Sequence, residues 1–147
     1  MPAAKSRGRL SEVKIMQLQE VFSQAEEISV LKNGAGETYA AGTEKFEEIG
    51  AAWNGMLEGS IVMPAFGVSL NEHTLNAMKN GVWVEFGFGE ETVIEEMPFE
   101  KLLVEVRPEY KGFNVIRYMQ NCGYSGRCYY IDLREGDMSG FYNYLSK

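Results

Sequence analysis

Between Gly81 and Arg134, apolar and polar positions alternate in four runs: GVWVEFGFG, FEKLLVEVRP, GFNVIRYMQ and GRCYYIDLR. Each run is bounded by Gly, Pro or charged turn residues, the pattern of short antiparallel strands. In the first, Val82, Val84, Phe86 and Phe88 point one way, and Trp83, Glu85 and the glycines the other. In the second, Leu102, Val104 and Val106 oppose Leu103, Glu105 and Arg107. In the fourth, Tyr129, Ile131 and Leu133 oppose Cys128, Tyr130 and Asp132. The third is ambiguous, because Asn114, Ile116 and Tyr118 oppose an equally apolar set, Phe113, Val115, Arg117 and Met119.

Upstream the period changes. Leu10, Val13, Leu18, Val21, Phe22 and Ala25 fall on one side of a helical wheel, which predicts an amphipathic helix over about 10–27. Ile28–Leu31 and Glu37–Ala40 read as a hairpin around Asn33-Gly34-Ala35-Gly36, where the glycines supply positive φ. A second helix is expected over 43–58, with Thr43 as N-cap, Phe46, Ile49, Trp53, Met56 and Leu57 on its stripe and Gly59 ending it. Trp53 reads as a core anchor whose indole N–H needs one acceptor. Pro64 excludes a central strand for IVMPAFGVSL. Ser69 and Glu72 fit a capping box for a short helix lined by Leu70, Leu75 and Met78. Glu90–Glu96 reads as an acidic turn with a short strand, and a last helical stretch begins near Asp137, docking Phe141, Tyr142 and Leu145.

These elements define an α+β fold. One domain spans 10–147 behind a disordered basic tail at 1–9. It is built on an antiparallel sheet of four to six strands, with the helices (about 10–27 and 43–58) packed mainly on one face.

Composition sharpens the functional picture mostly by exclusion. A chain of 147 residues that is 45% apolar can bury an ordinary core. The net charge is −7, and Lys5, Arg7 and Arg9 are concentrated in the tail, so the body is more acidic still. Such a body repels phosphate backbones, which argues against nucleic-acid binding. No apolar run approaches the roughly 20 residues that span a bilayer, so no membrane role is expected. The N-terminus has no apolar stretch behind its basic residues, and the expected location is cytoplasmic.

Motif chemistry is sparse. His73 is the only histidine and reads as a solvated surface residue, which removes two-histidine metal sites; neither metal nor cofactor is expected. Gly34-x-Gly36 lacks the third glycine of a dinucleotide fingerprint. Ser125 lacks the spacing of a nucleophile elbow. Cys122 and Cys128 are too few for a disulfide-built scaffold and read as two unrelated thiols near a hairpin end.

One constellation remains. With Val82, Val84, Phe86, Leu102, Val104, Ile116 and Tyr129 turned toward the helices, the opposite, open face gathers Trp83, Glu85, Glu105, Arg107, Arg117, Tyr130 and Asp132. Aromatic rings among opposed charges suit a non-enzymatic binding or adaptor module for a protein partner or a small polar ligand. The alternative is a small enzyme, with Glu85 and Glu105 as an acid/base pair and Arg107 or Arg117 clamping a small anionic substrate. A third reading is a homodimer formed through a strand edge or the first helix.

Overall fold

The computed structural model describes residues 20–63, 67–94 and 97–147. The expected basic tail at 1–9 and residues 10–19 of the expected first helix lie outside the described residues, as do Pro64 and residues 95–96. The described end of that helix is shorter than expected: residues 20–21 are helical, Phe22–Gln24 form a 3-10 turn, and Glu27 already begins a strand.

The strands are β1 (Glu27–Lys32), β2 (Ala35–Ala40), β3 (Ile61–Met63), β4 (Val68–Ser69), β5 (Val82–Ile94), β6 (Met97–Val106), β7 (Gly112–Tyr118), β8 (Gly126–Arg127) and β9 (Tyr129–Asp132). The helices are α1 (Glu44–Leu57), α2 (Asn71–Ala77) and α3 (Ser139–Ser146). Among the described residues, seven strands form one antiparallel sheet in the order β2-β1-β5-β6-β7-β9-β3, and β4 pairs with β8 separately. The α+β class and the antiparallel sheet stand, but the strand number exceeds the expected four to six. Elements as short as β3 and β8 hold too few residues for alternation to be read.

The first hairpin is tighter than its glycines suggested. Lys32 pairs with Ala35 directly, so Asn33 (φ 51°) and Gly34 (φ 88°) alone make the turn, the positive-φ pair of a two-residue connection. The Asn33 side chain accepts from the Gly81 N–H at 2.9 Å and ties this turn to the start of β5.

One face of the sheet carries the larger core. Val84, Phe86, Leu102, Val104, Val115 and Ile131 are buried there with Ile49 and Trp53 of α1 and Phe141 of α3. Thr43 caps α1 as expected, its hydroxyl accepting from the Phe46 N–H. Trp53 lies within 5.4 Å, centroid to centroid, of Phe22, Phe86, Phe113 and Phe141. Its indole N–H has no hydrogen-bond partner among the described residues, contrary to the expectation of one acceptor.

The other face is not open. Trp83, Leu103 and Tyr124 form a second buried group, against which Leu31, Ala77, Met78, Ile116 and Tyr118 pack. The expected stripe of α2 is rotated accordingly: Leu70 and Leu75 are 66% and 44% exposed, while Thr74 is buried. Ser69 does not cap this helix. It is drawn inward, where its hydroxyl donates to the Tyr124 carbonyl at 2.8 Å, and Leu70 stands at the N-cap without a side-chain bond.

Candidate functional site

The second face of the sheet is fixed by register. Trp83 pairs with Glu105 and Glu85 with Leu103; Leu103 pairs with Ile116 and Lys101 with Tyr118; Asn114 pairs with Tyr130 and Gly112 with Asp132. Directly opposed residues in an antiparallel pair share a face. Trp83, Glu85, Glu105, Tyr130 and Asp132 therefore lie on the face assigned to them, and Ile116 joins them there instead of facing the main core.

Arg117 does not. It stands opposite Leu102, in register with the first face. Its Nη1 donates to the Pro98 carbonyl at 2.9 Å, its buried Nε has no partner among the described residues, and its guanidinium lies where a Cβ on Gly126 would be. The inversion has a physical cause: both side-chain sets of β7 are apolar enough to be buried, so a one-residue choice of face had no signal behind it.

The face divides into two parts. In the first, Glu85 is 8% exposed beneath Tyr124, whose hydroxyl donates to Glu85 Oε2 at 2.5 Å. Lys101 Nζ stands 4.0 Å from the same carboxylate and 5.3 Å from the Tyr118 ring centroid. Burial raises the Glu85 pKa, against the opposing effects of the Tyr124 bond and Lys101. Burial beside Glu85 also holds the Tyr124 phenol far above its ordinary range. The Asn71 side chain anchors this cover by accepting from the Tyr124 N–H at 2.9 Å.

In the second part, Trp83, Glu105, Tyr110, Lys111, Asn114, Ile116 and Tyr130 surround a recess of about 440 Å3. The Trp83 indole N–H donates to the Asn80 carbonyl at 2.9 Å, which fixes the ring as its wall. Glu105 accepts from Arg107 Nε at 2.9 Å and from the Tyr110 hydroxyl at 3.2 Å. Arg107 also lies 5.8 Å over the Tyr110 ring, and the Tyr110 phenol is pushed up by burial and by the Glu105 charge. Tyr130 crosses the floor close to Gly112, where a Cβ would collide with its ring.

Three of the seven expected site residues, Trp83, Glu105 and Tyr130, thus line one recess, and Arg107 touches it through Glu105. Glu85 is sealed under Tyr124. The Asp132 carboxylate accepts from the Arg134 N–H at 2.8 Å, at the strand end. Glu85 and Glu105 serve separate networks. Tyr110, Lys111 and Tyr124 were not anticipated, since loop residues carry no alternation to mark them. Asn114 sat in a strand whose faces could not be told apart.

Among the described residues no group of three His, Cys, Asp or Glu is placed to hold a metal ion. Cys122 is exposed and Cys128 buried, both free, and burial raises the Cys128 thiol pKa. Among the described residues no helix is long and apolar enough to cross a membrane. No protein-family model, no curated protein and no solved structure matches this chain.

Proposed function

We propose that this protein is a non-enzymatic binding module that receives a small polar ligand, or a polar aromatic side chain of a protein partner, in the recess beside Trp83. One observation supports the reading: Trp83, Tyr110 and Tyr130 wall a space of about 440 Å3 at whose edge stand Glu105, Lys111 and Asn114. Aromatic walls with a few placed polar groups, in a volume of roughly 300–1,000 Å3, are what small-molecule and anchor-residue pockets share. The charges are mixed in sign, which suits a ligand carrying both a donor and an acceptor rather than a bare anion.

The test must spare the core. Trp83 is 3% exposed and packs with Leu103 and Tyr124, so its truncation would damage the fold. Tyr130→Ala and Asn114→Ala change the recess from half-buried and exposed positions. Native mass spectrometry of freshly purified protein, with capture on immobilised protein, is expected to show a small mass or a partner that both substitutions remove while the melting temperature stays close to wild type. Capture that survives both, or no capture at all, overturns the assignment.

The enzyme reading has one observation in its favour. Glu85 is a carboxyl whose pKa is raised by burial, as a general acid requires. Against it, Glu85 does not line the recess and Arg107 is already bound to Glu105.

A further inference from the structure

β2 is an outer strand, paired among the described residues with β1 alone. Its ladder has a fixed phase. The Asn33 N–H donates to the Gly81 carbonyl, and the Ala41 N–H to the Glu26 carbonyl, each at 2.8 Å. Odd-numbered positions of β1 therefore turn their backbone groups toward β5 and even-numbered ones toward β2, where Ala35, Glu37 and Tyr39 answer them. Gly36 and Thr38 are left aiming N–H and C=O away from the sheet, and Ala40 its N–H, while the Ala40 carbonyl accepts from the Thr43 N–H at 3.2 Å and the Thr43 hydroxyl at 2.7 Å. Edges of this kind are normally blunted by brevity, proline, lysine or a bulge. The other outer strand, β3, is three residues long and followed by Pro64. β2 runs for six residues in unbroken register, and Glu37 is its only charged side chain.

We propose that β2 pairs antiparallel with β2 of a second copy of this chain, fusing two sheets into one. A two-fold axis perpendicular to the sheet keeps each face on its own side, so only residues of like face can stand opposite one another. Two close registers satisfy this. One sets Glu37 against the partner's Glu37, and like charges directly opposed are unfavourable. The other puts Thr38 on the axis, Gly36 opposite Ala40 and Glu37 opposite Tyr39. This second register pairs the outward N–H and C=O of Thr38 with those of its copy and gives the Ala40 N–H the Gly36 carbonyl; the Ala40 carbonyl is held by Thr43. Ser29 Oγ and Thr38 Oγ1 are already 2.7 Å apart, so the pairing extends a rung of hydroxyls across the axis. Tyr39 already donates to Glu37 of its own strand at 2.8 Å, and the second register places another Glu37 within the same neighbourhood.

One strand pair buries less than the roughly 1,200–2,000 Å2 of a standard interface, so the dimer is weak and concentration-dependent. β1 separates β2 from the recess and no residue of β2 lines it, so dimerisation does not depend on what the recess binds.

Sedimentation velocity from micromolar to millimolar concentration is expected to show a doubling of mass, lost in Thr38→Pro. The Thr38 N–H makes no bond within the sheet, so the hairpin should survive the change; Thr38→Lys serves if proline loosens it. In a Cys122→Ser background, Thr38→Cys is expected to form an interchain disulfide readily, since hydrogen-bonded pairs set Cα atoms about 5.5 Å apart, inside the disulfide range. Glu37→Cys is expected to cross-link far more slowly. A wild type that stays monomeric, a dimer that persists in both Thr38 variants, or Glu37→Cys matching Thr38→Cys overturns the proposal.

Discussion

Glu85 holds its carboxyl where little water reaches it, at 8% exposure. The Tyr124 hydroxyl is its close donor and Lys101 stands at the limit of an ion pair, yet desolvation dominates and raises its pKa above the ordinary 4.5. The consequence for stability has a definite sign. The folded state holds this proton more tightly than the unfolded chain, so the group costs nothing below pH 4.5 and destabilises progressively as pH rises from 4.5 through its raised folded value. Glu85→Gln removes that dependence. In urea unfolding series, the stability of the variant relative to wild type is expected to rise across this window and then level off; a flat difference would show that Glu85 folds without the shift. Tyr124 is coupled to the same site, and its raised pKa means the phenol remains a donor throughout.

The elements differ in how plainly the sequence announces them. The β1–β2 hairpin is legible because an Asn-Gly turn between alternating strands admits few structures. α1 is legible because Thr43 and Gly59 bracket a clear stripe. β7 is not, because the sheet is covered on both sides: Phe113 and Val115 are buried against α1 and α3's core, while Ile116 and Tyr118 are packed beneath α2 and Tyr124. Alternation records which side meets water, and β7 has no such side along most of its length. The same cover explains why Trp83, Glu105 and Tyr130 could be placed on one face while Tyr110 and Tyr124 went unseen. They arrive from loops, and only the folded register brings them over the sheet. The crossing of Tyr130 over Gly112 can be probed directly. Gly112→Ala places a methyl where the ring lies; overpacking of this kind costs about 1–3 kcal/mol. Tyr130 is expected to swing outward, with shifted ring resonances and a reshaped recess. An unmoved ring would mean that β7 and β9 yield instead.

Taken whole, the molecule is one sheet clasped from two directions. α1 and α3 close one face over Trp53, and α2 with the Tyr124 loop closes part of the other over Trp83. The joints that complete this sheet join distant parts of the chain: Ile28 lies beside Phe86, and Val62 beside Ile131. Only the β1–β2, β5–β6 and β6–β7 connections are local. Ordering a long loop must precede the contacts that reward it, so such a topology folds in milliseconds to seconds rather than microseconds. The two tryptophans sit on opposite faces of that sheet. The cage around Trp53 draws on Phe22, Phe86, Phe113 and Phe141, nearly the full span of the described chain, whereas Trp83 packs with Leu103, Ile116 and Tyr124 and stands opposite Leu31 of β1. Stopped-flow fluorescence of Trp83→Phe, which leaves Trp53 as the reporter, is expected to show the slow phase in full, and complete recovery in microseconds would contradict it. Until α1 docks, Phe86, Leu102 and Val104 have no cover on their face of the sheet, so refolding from dilute solution is expected to recover more native protein than refolding from concentrated solution.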